Sequence, residues 1–337
     1  MSRPFAGRTI AVLGFGNQGE AHALNLRDSA CEVRIGTRPG GNAEARARAH
    51  GFPTMPLHEV VRDAAIVAVL LPDEAVPGVW ADLVAAWARE VTLVFAHGFN
   101  FLYSNLALPG DGDAVLVSPT GPGRILRQLY VSGSGLPAYL AVHQDRSGQA
   151  WATAEAYARA IGCGRARLWR TTVAEETEVD LFGEQVVLCG GMNALVTAAF
   201  ETLVERGYAP EIAYLECVHQ LKYLADLLHE RGVAGLREGI SGTARYGDLT
   251  RGPRVVGEAS RAEMARILEE IRSGAFARAW LSEVAAGRPQ LSVMEKQAAL
   301  HPIEEARRKA LGAAATPAAP GTRPGGPGES RKTLSKN

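Results

Sequence analysis

The sequence predicts an α/β protein, a Rossmann-like, doubly wound parallel sheet in the first half followed by an all-helical second domain. Three observations carry this. Six short apolar runs punctuate the chain up to Gln144, a glycine-rich turn follows the first of them, and beyond about residue 171 the runs give way to long stretches of helical periodicity.

The runs are TIAVLG (Thr9–Gly14), EVRIG (Glu32–Gly36), AIVAVLLP (Ala65–Pro72), VTLVFAHG (Val91–Gly98), AVLVSP (Ala114–Pro119) and AYLAVHQ (Ala138–Gln144). Each is continuously apolar rather than alternating. That pattern marks strands covered on both faces, as in a parallel sheet flanked by helices. The helical stretches run from Glu175 to Phe200, Ala209 to Arg231 and Arg261 to Ile271. From about Gly312 the chain turns to Ala, Pro, Gly and Ser, too poor in large apolar groups to offset the entropy of ordering. The expected organisation is a dinucleotide-binding domain over 1–170, a helical metal, substrate and dimerisation domain over 171–311, and a disordered tail over 312–337.

Composition narrows the function classes. With 36 basic and 36 acidic residues among 337, the formal net charge is zero. Nothing here resembles the basic footprint that nucleic-acid or anionic-lipid binding requires. The apolar run near the start, Thr9 to Leu13, meets glycine at once and is far short of a signal or membrane segment. A cytoplasmic protein is expected. Cys31, Cys163, Cys189 and Cys217 are widely spaced with no CxxC pair, which suits reduced packing residues.

The first run leads into Gly14-Phe15-Gly16-Asn17-Gln18-Gly19 and then a helical stretch, the dinucleotide fingerprint in its required context. Gly14 permits the tight turn, Gly16 lets the backbone approach a pyrophosphate, and Gly19 lets the helix pack on the strand. All six residues are candidate cofactor contacts. At the end of the second run, where NAD-binding sites carry an acid for the ribose 2′-hydroxyl, stand Thr37 and Arg38, with no carboxylate before Glu44. Thr37 with Arg38 suits a 2′-phosphate and hence NADP; a solvated loop arginine is the other reading of the same residue.

Two helical stretches carry oxygen-bearing side chains four apart, Asp180 with Glu184 and Glu216 with Gln220. Residues four apart share a helix face and can aim two ligands at one point. By spacing alone, a structural pair and a metal site stand level.

At these residues the chain resembles the ketol-acid reductoisomerase family. The strings GFGNQGEAHALNLRDS, AHGFN, GPG, EETEVDLFGEQVVLCGG, GYAPEIAYLEC, ISGTARYGD, GPRVV and HPIEEARRKAL lie in the family's order, at the spacing of its short form, across residues 1–311. The resemblance implies reduction and rearrangement of 2-hydroxy-3-keto acids such as acetolactate, with NADPH and two magnesium ions. It further implies that Asp180 and Glu184 ligate magnesium, that Glu216 and Gln220 stand at the second ion, and that Ser241 binds the substrate carboxylate. His97 of AHGFN would sit at the nicotinamide edge, and Gly123 of GPG beside the cofactor. The family's helical domain is knotted, and its dimers share active sites between chains, so a homodimer or larger homo-oligomer is implied.

Several positions depart from the family pattern. Thr120 stands where lysine is usual, Gln220 where glutamate is usual, and Arg124, Leu102 and Glu20 where histidines are usual. Thr120 and Gln220 remove one charge of each sign, which looks compensatory. Alkyl migration leans on those charges more than plain carbonyl reduction does. Three readings follow. One is an NADPH- and magnesium-dependent reductase of a 2-keto-3-hydroxy or 2-hydroxy-3-keto acid in a specialised pathway. The second is the acetolactate reductoisomerase of valine and isoleucine synthesis, and the third a cofactor-binding protein without turnover.

Overall fold

The computed structural model describes residues 5–87 and 90–312. The tail expected to be disordered lies outside them apart from Gly312. The described chain forms two compact units, one of residues up to Leu188 together with Glu258–Arg288, the other of Cys189–Gly257 together with the residues from Pro289 onward.

The first unit holds an eight-stranded sheet: β1 (Thr9–Leu13), β2 (Glu32–Thr37), β3 (Thr54–Pro56), β4 (Ile66–Val69), β5 (Thr92–Phe95), β6 (Asp113–Pro119), β7 (Ala138–Gln144) and β8 (Leu168–Arg170), in the order β3-β2-β1-β4-β5-β6-β7-β8. The strand order reverses between β1 and β4, the switch point at which doubly wound sheets bind ligands. All six expected runs are strands. Their continuous hydrophobicity has its cause in double coverage: Ile10, Val12, Val94 and Val115 pack into one apolar cluster, while Ala11, Leu13, Leu93 and Phe95 pack into another.

The sheet is not wholly parallel, which corrects the sequence expectation. β7 runs antiparallel to β6, with Pro119 opposite Ala138. Thr120 N donates to Pro137 O over 3.0 Å, so residues 121–136 leave and return at the same end of the sheet. An apolar run is equally apolar in either direction, so its pattern carried no sign of this. β3 and β8, three residues each at the two edges, are too short to show a period.

The domains expected from the sequence, 1–170 and 171–311, and the compact units differ at two places. Helix Val173–Gly183 and the segment Glu258–Arg288 belong to the first unit, because Phe99, Leu181, Ile271 and Ala277 bury one another there. Among the described residues the second unit is helical, built on Gly190–Glu205, Pro210–Tyr214, Leu221–Glu238, Gly242–Val255, Pro289–Ala299 and Pro302–Leu311, around Phe200, Ala213, Tyr214 and Ala306. The expected helix over Glu175–Phe200 is broken by a π-helical turn at Glu184–Leu188, and that over Ala209–Arg231 by another at Leu215–His219.

By length and composition the run Val173–Glu205 is apolar enough to cross a membrane. It also carries Glu175, Glu176, Glu178, Asp180 and Glu184, acids that are costly in hydrocarbon. Of the cysteines, Cys31 and Cys163 are buried as packing residues, and burial pushes their thiols up to about 11 and about 12. Cys189 is exposed and Cys217 half-buried, so the packing expectation holds for only two.

Candidate active site

One cavity of about 1010 Å³ runs within the first unit from the fingerprint turn, past the carboxyl ends of β1, β4 and β5, to His97, Asp180 and Glu184. Gly14, Phe15, Gly16, Asn17, Gln18, Thr37 and Arg38 line it, while Gly19 does not.

The glycines serve as the sequence suggests. Gly14 has φ +92°, and a Cβ there would lie 2.8 Å from Leu70 O. A Cβ on Gly19 would lie 2.4 Å from Gly14 O, so only glycine lets the helix Asn17–Asp28 seat against the turn. At Gly16 a Cβ would meet nothing within 4 Å, leaving the turn open on its outer side. No side chain caps this helix, so its first amides remain available for a phosphate. Phe15 contributes backbone; its ring is buried against Phe52. Gly123 does not line the cavity. It lets the helix Gly123–Val131 press on the fingerprint, where a Cβ would lie 2.0 Å from Asn17 O, and Gln18 Nε2 donates to Gly121 O over 3.0 Å.

At the far end of the cavity, His97 follows β5 and meets two acids of the helix Val173–Gly183: Nδ1 lies 3.4 Å from Glu176 Oε1 and 3.2 Å from Asp180 Oδ2. Glu176 is fully buried and also accepts from Gly98 N over 3.1 Å. Asp73, just beyond β4, accepts from Asn100 Nδ2 over 3.0 Å. Burial opposes a charge on His97, yet the hydrogen bond and charge of Glu176, with Asp73 and Asp180 behind it, push its pKa up to about 9. His97 is therefore a cation at neutral pH. Burial pushes Asp180 up to about 6, with Glu184, Glu176 and Asp73 adding to the rise and His97 opposing it. Burial likewise pushes Asp73 up to about 6.

Sequence reasoning paired Asp180 with Glu184 but passed over Glu176, Asp73, Gly98 and Asn100. A signal existed for the first, since Glu176, Asp180 and Glu184 fall at i, i+4 and i+8. Gly98 is required because a Cβ there would lie 2.0 Å from Thr177 Oγ1.

Glu216, Gln220 and Ser241 belong to the second unit. Glu216 lies in the π-turn Leu215–His219, and Gln220 follows it, donating from Nε2 to Glu216 Oε2 over 2.7 Å. Ser241 caps the helix Gly242–Val255 by accepting from Ala244 N over 3.1 Å, which leaves its hydroxyl proton free to donate. π-turns recur at functional positions, and here each begins beside or contains a candidate ligand.

The departures are placed as follows. Thr120 is exposed, does not line the cavity, and donates to Pro137 O over 3.0 Å. Leu102 packs beside Leu116, Ala141 and Val173, Arg124 is exposed, and Glu20 pairs with Arg46.

The donors fit magnesium. Ligand atoms of His97, Glu176 and Asp180 lie within 4.8 Å of one another. Glu176, Asp180 and Asp73 surround the imidazolium, and Glu184 is exposed in the same cavity wall beside Asp180. Such an excess of oxygen donors and negative charge suits a hard divalent cation. Asp180, which meets His97 through Oδ2 alone, and the exposed Glu184 are the two that would hold it from this unit, since both oxygens of Glu176 are taken by His97 and Gly98 N.

A fingerprint opening onto a histidine–carboxylate cluster defines a dinucleotide-dependent oxidoreductase. Comparison with known proteins carries this further. Residues 4–167 match the family model for the acetohydroxy acid isomeroreductase NADPH-binding domain, and residues 173–313 that for the ketol-acid reductoisomerase C-terminal domain. The chain belongs to the ketol-acid reductoisomerase family. An NADH-preferring ketol-acid reductoisomerase from an uncultured archaeon is 37% identical, with a TM-score of 0.88, over 90% of this chain and 94% of that one. More distant likenesses show the fold alone. A semialdehyde dehydrogenase NAD-binding protein from Cupriavidus necator is 18% identical at TM-score 0.60, over 79% of this chain and 99% of that one. An oxidoreductase from Jannaschia sp. CCS1 is 17% identical at TM-score 0.57, over 78% and 96%.

Proposed function

We propose that this oxidoreductase of the ketol-acid reductoisomerase family uses NADPH and magnesium to reduce a 2-keto-3-hydroxy or 2-hydroxy-3-keto acid, and that its natural reaction depends less on alkyl migration than the family's does. The observation that carries the reading is the single cavity joining the fingerprint to His97, Asp180 and Glu184.

The chain's own groups divide the work. The amides of the helix Asn17–Asp28 and the open side of Gly16 bind the pyrophosphate, while Thr37 and Arg38 hold the ribose 2′-phosphate. Asp180 and Glu184 of the first unit would hold magnesium there, and Glu216 with the carbonyl of Gln220 forms a separate pair of oxygen donors within the second unit. When bound, the nicotinamide supplies hydride and magnesium polarises the substrate oxygens. His97, kept cationic by Glu176, can give a proton to the carbonyl oxygen whose carbon accepts the hydride. Within the second unit, Ser241 keeps a hydroxyl proton free for an anionic group such as a carboxylate.

Two observations weigh against full retention of alkyl migration. Thr120 offers no cation, and its hydroxyl is committed to Pro137; Gln220 is a neutral donor committed to Glu216. A neutral carbonyl holds a divalent ion less firmly than a carboxylate does. The second reading, acetolactate reductoisomerase, is favoured by the 37% identity to such an enzyme and by Asp180, Glu184, Glu216 and Ser241 standing intact.

A homodimer that completes each site from both chains belongs to the same proposal. Leu195, Ile212, Tyr223 and Tyr246 of the second unit are large apolar side chains left exposed, more than a monomer usually presents. NADPH oxidation with a 3-hydroxy-2-keto acid, followed with magnesium and with chelator, tests the core of the reading. Turnover is expected with magnesium alone. Undiminished turnover in chelator would remove the metal.

A further inference from the structure

The fingerprint helix carries Glu20 in its first turn, where an acid sits close to the phosphate-binding end, although that end favours anions of its own ligand. Its carboxylate has found a specific task. It forms an ion pair with Arg46 of the helix Asn42–Ala49, and its other oxygen lies 3.3 Å from His50 Nε2.

Arg46 lines the same cavity as Arg38, and its guanidinium lies 5.8 Å from the ring centroid of Phe15 in the fingerprint. Two guanidinium groups thus flank the space at the carboxyl end of β2, where the adenosine ribose of a dinucleotide falls. Their states differ. Arg38 is exposed and has no side-chain partner among the described residues, whereas Arg46 is held and its charge offset by Glu20. The other acid of this region, Glu44, is engaged elsewhere: it accepts from Gly40 N over 2.6 Å and from Arg48 Nη2 over 2.6 Å. It is no substitute for the ribose-binding acid of an NAD site.

We infer that Arg46 is a second specificity-determining residue for the cofactor and that Glu20, by holding it, sets how strongly the site discriminates for a 2′-phosphate. The inference rests on the reading that this cavity takes NADPH. A 2′-phosphate adds a dianionic group that two planar guanidinium groups bind well. An ion pair as exposed as Glu20–Arg46 is weak enough to exchange its carboxylate for that phosphate. Glu20 therefore competes with the 2′-phosphate for Arg46 and leaves NADH, which lacks the phosphate, untouched.

The test is direct binding of NADPH and NADH to the full chain, by quenching of protein fluorescence, for the unmodified protein and for Glu20→Gln, Arg46→Gln, their double variant and Arg38→Asp. Glu20→Gln should tighten NADPH about three- to tenfold, the size of one partly screened charge, and leave NADH unchanged, which also reports that the site is folded. Arg46→Gln should weaken NADPH by a similar factor. The double variant should match Arg46→Gln, because the effect of Glu20 passes through Arg46. Tightening by Glu20→Gln that persists in the double variant would overturn the inference, as would equal shifts for both cofactors. Discrimination that responds to Arg38→Asp but to neither Glu20→Gln nor Arg46→Gln would sink this inference and leave the NADPH reading standing. NADPH bound no tighter than NADH, with Arg38→Asp affecting both alike, would overturn both.

Discussion

Gly98 faces Thr177 so closely that a Cβ on it would lie 2.0 Å from the threonine hydroxyl oxygen. This approach brings the loop after β5 against the helix Val173–Gly183 and sets His97 beside Glu176 and Asp180. Gly98→Ala should cost about 1–3 kcal/mol by overpacking and lower turnover more than cofactor affinity, since His97 moves while the fingerprint does not. Urea unfolding and NADPH titration check the two halves. Full activity at reduced stability would show that the position of His97 is not critical.

Asp180→Asn keeps the shape of the side chain and removes one of the two carboxylates proposed to hold magnesium in the first unit. NADPH should still bind, because the fingerprint lies at the other end of the cavity. Turnover should be lost, and the rise in melting temperature on adding magnesium should shrink. A variant that turns over normally in magnesium would reduce Asp180 to a structural partner of His97.

Gln220→Glu removes the donor to Glu216 and places a second carboxylate at that π-turn. Alone it should leave acetolactate turnover little changed or lower, because no lysine accompanies it; Thr120→Lys alone should do the same. The double variant should exceed both, with a coupling of about 0.5–3 kcal/mol in activation free energy. Additive effects would mean that the two positions changed independently.

His22 is fully buried, with Nδ1 3.1 Å from Tyr157 OH and Nε2 without a partner. Burial pushes its pKa down to about 3. The unfolded chain gains a proton near the ordinary value of about 6.5 that the folded chain refuses. The stability tied to this neutral histidine is thus complete above that value and falls by about 1.4 kcal/mol per pH unit below it, until the folded pKa is reached. His97, Asp73 and Asp180, whose pKa values are raised, gain stability over the same interval in both proteins, so the signature is a difference: between about pH 7.5 and about pH 5.5 the unmodified protein should lose about 1.4 kcal/mol relative to His22→Gln in urea unfolding. The same pH dependence in both proteins would show that His22 contributes nothing to it.

Much of this architecture was legible in the sequence because parallel strands covered on both faces leave continuous apolar runs, as at Ile66–Val69. The fingerprint was legible because steric limits at Gly14 and Gly19 admit no side chain. The direction of β7 was not, since hydrophobicity has no polarity along the chain. Nor was the membership of Glu258–Arg288 in the first unit, which rests on contacts such as Tyr103 OH to Ile271 O over 3.0 Å, far apart in sequence. Glu176 was passed over among the neighbouring acids Glu175 and Glu178, although its spacing of four from Asp180 and eight from Glu184 sets it apart from both. Thr120 was read as a site residue from its place in a motif, and the bond of its hydroxyl to Pro137 O, which depends on the direction of β7, was not legible there.

The proposed function has carbonyl reduction outlasting alkyl migration in this site. Initial rates of NADPH oxidation in magnesium, with acetolactate and with its rearranged 3-hydroxy-2-keto acid at matched saturation, test it most directly, because the second substrate needs hydride and a proton but no migration. The account predicts a clearly faster rate with the rearranged acid. Equal rates, or a faster rate with acetolactate, would contradict it and establish the protein as a full reductoisomerase.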